Sequence, residues 1–135
     1  TWDAGWAKGK EYLTSHIAIA KKIGKPIVLE EFGLYRDAGA YDIKSTTKVR
    51  DQFYKQVFEV LWAPMQKGEP IAGYNFWAWN GGARTARANY WWQEGDDLMG
   101  DPPQEEQGMY GIYDSDASTI AIIKAFNTKI HSLNK

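Results

Sequence analysis

Two adjacent carboxylates, Glu30 and Glu31, end an apolar segment that begins at Pro26. A carboxylate in such a position can act as a nucleophile or a general base, and in its protonated form as a general acid. If the segment is a strand, alternation divides it into two faces, with Ile27, Leu29 and Glu31 on one and Val28, Glu30 and Phe32 on the other. The simpler alternative is that both carboxylates only cap the strand in solvent.

Large aromatic rings end a second apolar segment, residues 71–79, which carries Trp77 and Trp79 at its end. Gly73 and Asn75 suit a helix-covered face poorly, so we predict that they and Trp77 share an interior face. The chain contains 7 Trp, 8 Tyr and 5 Phe residues, which together make up 15% of it. Flat rings can cover the apolar face of a pyranose, and they can equally fill a small core. Candidate sugar-binding rings are Trp77, Trp79, Trp2 and Trp91.

Composition excludes several kinds of chemistry. The chain has no cysteine and only 2 histidines, which argues against thiolate catalysis, disulfides and a multi-histidine metal centre. Its 16 basic and 17 acidic residues give a net charge of -1, so neither nucleic acid nor a membrane is predicted as a partner. The acidic loop after Trp79 matches no calcium-binding spacing, so we predict no metal and no cofactor. The opening residues show no signal peptide and suggest a processed or truncated chain.

The elements that must position these residues alternate along the chain. Helical periodicity predicts helices over 8–23, from a cap within 45–47 to Pro64, and over 118–131. Strands are predicted over 26–33 and 71–79, followed by a long loop over 80–116. This order is typical of an α/β protein with a parallel sheet. Arg36 with Asp37, and Arg50 with Asp51, are interpreted as local structural charge pairs.

Two parallel strands alone leave open edges, and a complete (β/α)8 barrel takes about 250 residues. We therefore predict that residues 1–135 form the C-terminal portion of a single barrel domain. Carboxylates at the C-terminal end of a barrel strand lie where active sites are built.

The segment 24–33, which ends in Glu30-Glu31-Phe32-Gly33, resembles the seventh strand of the retaining (β/α)8 glycoside hydrolases. It is most similar to the endo-β-1,4-mannanases of glycoside hydrolase family 5. The resemblance implies that Glu31 is the nucleophile. Segment 74–79 resembles the eighth strand, and Trp77 matches the tryptophan that stacks on the sugar at subsite -1. The residues around 100–103 and 107–110 resemble the late loop of the mannanase branch.

The resemblance also implies what lies elsewhere. The acid/base Glu and the first six strands would belong to an N-terminal part of the same barrel, on this or a separate chain, so this chain alone would be incomplete as an enzyme. The implied substrate is β-mannan polysaccharide or manno-oligosaccharides. Because polymeric mannan does not enter cells, a secreted, periplasmic or cell-surface location follows.

Two alternatives stay open from the residues. The first is a noncatalytic carbohydrate-binding module with Trp77, Trp79 and Trp91 as its platform, which would normally be a β-sandwich. The second is a β-glucanase (cellulase) of the same barrel clan.

Overall fold

The described residues of the computed structural model, 1–133, form three α-helices and four strands. Their order is α1 (Trp2–Ile23), β1 (Ile27–Phe32), a 3-10 turn (Asp37–Gly39), α2 (Lys48–Gln66), β2 (Ile71–Phe76), β3 (Trp79–Gly81), β4 (Ile112–Tyr113) and α3 (Ala117–Leu133). The predicted alternation of helices and strands is confirmed, and three long helices contradict the β-sandwich expected of a binding module. Helix α1 begins six residues earlier than predicted and ends as expected at Gly24, whose φ is 64°. No helix within residues 1–133 has the length and apolar character needed to cross a membrane.

Strands β1 and β2 pair in parallel, and residues from all three helices and both strands build one core. Much of that core is aromatic. The rings of Phe58 and Phe126 stack with their centroids 4.3 Å apart, and those of Phe32 and Tyr54 lie 5.5 Å apart. Core filling therefore accounts for many of the aromatic residues. The other side of the sheet is open, since Val28, Glu30 and Asn75 are exposed.

The simple alternation predicted for β1 is wrong beyond Leu29. Leu29 pairs with Tyr74 and Phe32 pairs with Phe76, so three steps along β1 match two steps along β2. This one-residue irregularity is a β-bulge, and it allows both Leu29 and Phe32 to pack against the helices. A second register shift lies between Ile27 and Val28. Simple alternation along residues 71–79 would place Ile71 on the same face as Gly73 and Asn75, but with this shift Ile71 packs against the core.

The predicted strand 71–79 is shorter in the structure, and the predicted loop is partly ordered into strands. β2 ends at Phe76, the peptide bond between Trp77 and Ala78 is cis, and β3 begins at Trp79. β3 pairs in parallel with β4 from the far end of the loop. The two ends of the segment 82–111 therefore lie next to each other, close to the residues that follow Trp77.

The N-terminus of α2 is capped from a distant position. The carboxylate of Asp37 accepts hydrogen bonds from the backbone N–H groups of Lys48 at 3.0 Å and Val49 at 2.8 Å. Thr47 occupies the N-cap position but makes no side-chain capping bond. The prediction of a cap within 45–47 therefore gives the right position but the wrong capping side chain. Asp37 therefore ties the segment after β1 to the start of α2.

Replacing Asp37 with Ala should lower the free energy of unfolding by about 1 kcal/mol, the usual cost of losing a helix cap. The hydrogen bond from Thr46 and the two backbone N–H groups hold the pKa of Asp37 below its ordinary value. A carboxylate whose pKa falls on folding stabilises above its unfolded pKa and loses that effect as pH falls through its folded pKa. Urea unfolding at pH 7 and pH 3 should show that Asp37→Ala costs less at pH 3.

The Asp37→Asn variant is the matched control, because its amide oxygen can still accept one capping bond. It should retain part of the stability at pH 7 and lose the pH dependence. An equal cost of Asp37→Ala at both pH values would contradict a cap by the ionised carboxylate.

Candidate active site

The ends of β1 and β2 meet directly, and they bring the carboxylates next to Trp77. The backbone N–H of Trp77 donates to the carbonyl oxygen of Phe32 over 2.9 Å. The following residue, Gly33, lies so close to this crossing that a Cβ there would sit 2.1 Å from the carbonyl oxygen of Trp77. Only glycine fits this position without moving the backbone. The Glu-Phe-Gly order of the sequence thus places a carboxylate one residue from the contact with Trp77.

The two carboxylates have different surroundings. Oε2 of Glu30 accepts a 2.7 Å hydrogen bond from Nδ2 of Asn75 on β2. Asn75 lies on the face away from the helices, so Glu30 lies on that face too. Leu29 packs against the core, and regular alternation from Leu29 places Glu30 on the open side. The prediction that Glu31 rather than Glu30 shares a face with Leu29 therefore assigns the interior face to the wrong carboxylate. Glu31 is exposed and has a φ of 49°. A positive φ is uncommon for a residue with a side chain, and such strained backbone concentrates at functional sites.

Trp77 is half-buried, and its indole donates a hydrogen bond to a residue for which the sequence predicts no role. Nε1 of Trp77 donates to Oδ1 of Asp101 over 3.4 Å, and Asp101 is only 3% exposed. Oδ2 of Asp101 accepts a hydrogen bond from the backbone N–H of Gly108. No signal in the linear sequence joins Asp101 to Trp77, because the intervening chain brings them together only through the β3–β4 pairing.

The other candidate tryptophans have different surroundings. Trp79 is 55% exposed in β3, and Trp91 is 45% exposed in the long loop, where it forms an isolated bridge with Glu106. Trp2 is half-buried in the first turn of α1. Among residues 1–133, no close pair of aromatic rings joins any of these three to Trp77. The structure therefore brings Glu30, Glu31 and Trp77 to one edge, while the rings of Trp79, Trp91 and Trp2 do not stack with that of Trp77.

A buried cluster of charged side chains lies next to the segments that form this edge. It consists of Arg36, Arg50 and Asp116, which are 1%, 0% and 5% exposed. Both oxygens of Asp116 accept from Nη2 of Arg36, at 2.7 and 2.8 Å, and Oδ2 also accepts from Nη2 of Arg50 at 2.7 Å. The prediction of local pairs with Asp37 and Asp51 is therefore wrong, since both arginines pair with a residue more than 60 positions away. The pairing remains structural.

The cluster connects the segments that carry Glu31 and Trp77. Arg36 lies four residues after the end of β1, and Nη1 of Arg50 donates to the carbonyl oxygen of Gly111. The next residue, Ile112, donates its N–H to the carbonyl oxygen of Ala78 over 2.8 Å, immediately after Trp77. Charge-assisted bonds in a dry interior are short and directional, so the cluster fixes both segments relative to α2.

Several carboxylates of the acidic loop accept hydrogen bonds from other residues of the protein. Asp96 forms a bidentate salt bridge with Arg87, in which Oδ2 accepts from Nε at 2.7 Å and Oδ1 accepts from Nη2 at 2.9 Å. These hydrogen bonds hold the pKa of Asp96 below its ordinary value. The Tyr41 hydroxyl donates to Glu106, and burial raises the pKa of Tyr41 to about 12. Within residues 1–133, no group of three or more acidic or histidine side chains is arranged to hold a metal ion.

Comparison with known proteins shows which family these features belong to. A family model described as GH family 5 beta-mannosidase-like matches residues 1–135. Two Arabidopsis thaliana proteins with the provisional names mannan endo-1,4-beta-mannosidase 4 and P are 36% and 33% identical over 69 residues. That alignment covers 50% of this chain and 16% of each relative.

Solved structures agree. A glycoside hydrolase family 5 mannosidase from Rhizomucor miehei superposes with a TM-score of 0.80 at 31% identity, over 92% of this chain and 31% of that one. A variant of that enzyme in complex with mannosyl-fructose gives a TM-score of 0.75 at 28% identity, over 93% and 32%. The chain thus spans about a third of the structures and about a sixth of the curated relatives that it matches. It belongs to the β-mannosidase-like proteins of glycoside hydrolase family 5.

Proposed function

We propose that this chain supplies part of the active site of a retaining endo-β-1,4-mannanase, with Glu31 as the nucleophile and Trp77 as the ring that stacks on the sugar at subsite -1. One observation carries the proposal. The carboxylate-bearing end of β1 is joined to Trp77 by a backbone hydrogen bond of 2.9 Å, in a chain of the mannosidase family. Trp79, Trp91 and Trp2 are proposed as further sugar contacts.

A retaining glycosidase needs a second carboxyl group about 5–5.5 Å from the nucleophile to protonate the leaving oxygen. Glu30 is engaged by Asn75, and both oxygens of buried Asp101 already accept hydrogen bonds. Neither is suited to deliver a proton to a substrate. We therefore propose that the acid/base Glu comes from an N-terminal part of the same barrel, on this or another chain.

The barrel itself is proposed on similar grounds. β1 and β2 would be strands seven and eight of a (β/α)8 barrel, with α1, α2 and α3 in its outer layer. The open face of the sheet supports this, because Val28 is 40% exposed there while the other face is covered by helices. The coverage of only 31% of the Rhizomucor miehei mannosidase is consistent with it. Secretion or a cell-envelope location is proposed from the polymeric substrate.

A second candidate is a β-mannosidase that removes single sugars from chain ends. The family description, beta-mannosidase-like, favours it. Both candidates use the same nucleophile. They differ in whether the substrate-binding cleft is open at both ends or closed at one, so analysis of the products separates them. Mannohexaose should yield mannobiose and mannotriose from an endo-acting enzyme, and mannose alone in the early phase from an end-acting enzyme.

We expect the protein to hydrolyse linear β-1,4-mannan or glucomannan about 10²-fold or more faster than carboxymethyl-cellulose, since sites that hydrogen-bond a particular hydroxyl discriminate by ~10⁴ whereas stacking on a ring discriminates weakly. Mannose carries an axial 2-hydroxyl next to the reacting carbon, and selectivity must come from polar groups that bind it. Initial rates on the three polymers at equal mass concentration measure this preference.

Equal or faster cleavage of the cellulose derivative would assign the protein to the β-glucanases and leave the role of Glu31 standing. Binding of mannan without cleavage by the protein with a complete barrel would instead favour a noncatalytic carbohydrate-binding role.

A further inference from the structure

We propose that Asp101 is a positioning residue for Trp77, and that it must be a carboxylate because both of its oxygens accept hydrogen bonds from fixed N–H donors. One donor is the indole of Trp77 and the other is the backbone of Gly108. The consequence for sugar binding rests on the proposed function, while the hydrogen-bond arrangement itself does not.

The surroundings of Asp101 give no other reason for a charge there. Its side chain is buried, with 3% exposure, and none of the salt bridges within residues 1–133 includes it. Burying a carboxylate without a cation is costly, so such a group persists where its acceptors are needed. The two N–H donors reach separate oxygens, and a carboxylate presents an acceptor at both of these positions whereas the isosteric amide presents an acceptor at one.

The backbone at Gly100, next to Asp101, packs closely against the residue that follows Trp77. A Cβ on Gly100 would lie 2.7 Å from the Cβ of Ala78, the residue after Trp77. The long loop therefore contacts the Trp77–Ala78 segment through its backbone at Gly100 and holds the indole through Asp101. An indole fixed at its nitrogen keeps its ring plane in one orientation before the sugar arrives, which lowers the ordering cost of binding.

The Asp101→Asn variant separates the two hydrogen bonds. An amide has an acceptor oxygen on one side and an NH2 donor on the other. Trp77 and Gly108 donate to different oxygens of Asp101, so in the same orientation the amide can accept from only one of them. The bond to Gly108 is the shorter one, at 2.5 Å against 3.4 Å to the indole, so the amide oxygen should keep Gly108 and turn its NH2 toward the indole N–H. Two donors then face each other, and Trp77 is released while the loop stays anchored.

The test uses the full-length protein labelled with ¹⁵N-tryptophan and ¹⁵N-glycine, with the Trp77 indole resonance assigned through Trp77→Phe. In Asp101→Asn, the Trp77 indole proton should move upfield and the Gly108 amide proton should stay within its original range. The KM for mannotetraose should rise about five- to tenfold with a smaller change in kcat, as expected for the loss of one hydrogen bond of about 1 kcal/mol. Asp97→Asn, at an exposed position of the same loop, is the matched control and should change neither signal.

An unmoved Trp77 indole resonance in folded Asp101→Asn would overturn the proposal. A shifted resonance with unchanged KM would leave Asp101 as the positioning residue and remove Trp77 from sugar binding, which is a failure of the proposed function only. If Asp101→Asn does not fold, Trp77→Phe tests the same hydrogen bond by removing its donor. With the competing donor gone, the Gly108 amide proton should move downfield, and an unchanged Gly108 signal would overturn the proposal.

Discussion

Replacing Glu31 with Ala should lower kcat on mannan by roughly 10⁴-fold or more, as removal of a covalent nucleophile does in other enzymes. The oligosaccharide should still bind with little loss, because the nucleophile acts on the transition state more than on the bound ground state. Steady-state kinetics on mannan and calorimetric binding of mannotetraose, both with the protein that carries this chain in a complete barrel, measure the two effects separately.

The neighbouring carboxylate supplies the control. Glu30→Gln keeps an amide oxygen that can accept the bond from Asn75, so it should retain most of the activity. Azide offers a second check, since a small anion can enter the space left in Glu31→Ala and form the α-glycosyl azide. If Glu30→Gln is as inactive as Glu31→Ala, and azide restores neither, the assignment of the nucleophile is wrong.

Asp116→Ala should lower the free energy of unfolding by about 3–5 kcal/mol, because it leaves the buried guanidinium groups of Arg36 and Arg50 without their counter-ion. The mutation also removes the acceptor for the backbone N–H of Tyr113. Urea denaturation followed by circular dichroism measures the loss.

A matched surface pair lies two residues away. Asp114 forms a salt bridge of 2.7 Å with Arg84, and both side chains are well exposed. Water screens such a pair, so Asp114→Ala should leave the stability nearly unchanged. Similar losses for Asp114→Ala and Asp116→Ala would show that burial of the cluster does not determine its contribution.

Local pattern was enough to predict the main elements of the fold. The alternation of helical periodicity with apolar runs gave the order of α1, β1, α2, β2 and α3, and Gly24 marked the end of α1. The predicted strand 71–79 is too long because the segment is apolar at nearly every position, and apolar character does not show where strand pairing changes partner. β3 and β4 were missed for a related reason, since they are short and their pairing depends on residues about 30 positions apart.

The candidate site was predictable only where its residues are adjacent in sequence. The Glu-Phe-Gly and Trp77 segments could be placed at strand ends, and the structure brings them together. The partners that hold them could not be found, because Asp101 and Asp116 reach Trp77, Arg36 and Arg50 through the return of a long loop. Arg36 and Arg50 each have an acidic neighbour in the sequence, and that proximity suggested local pairs that do not form.

The bulge between Leu29 and Phe32 has a consequence for insertions and deletions. A strand one residue shorter could keep both side chains in the core and pair with β2 as a regular ladder, but it would contain a single carboxylate. The extra residue thus adds nothing to the packing, and it interrupts the ladder at the point where Glu31 adopts a positive φ. The bulge is therefore tied to the presence of a second carboxylate at the end of β1 and not to the packing of the core.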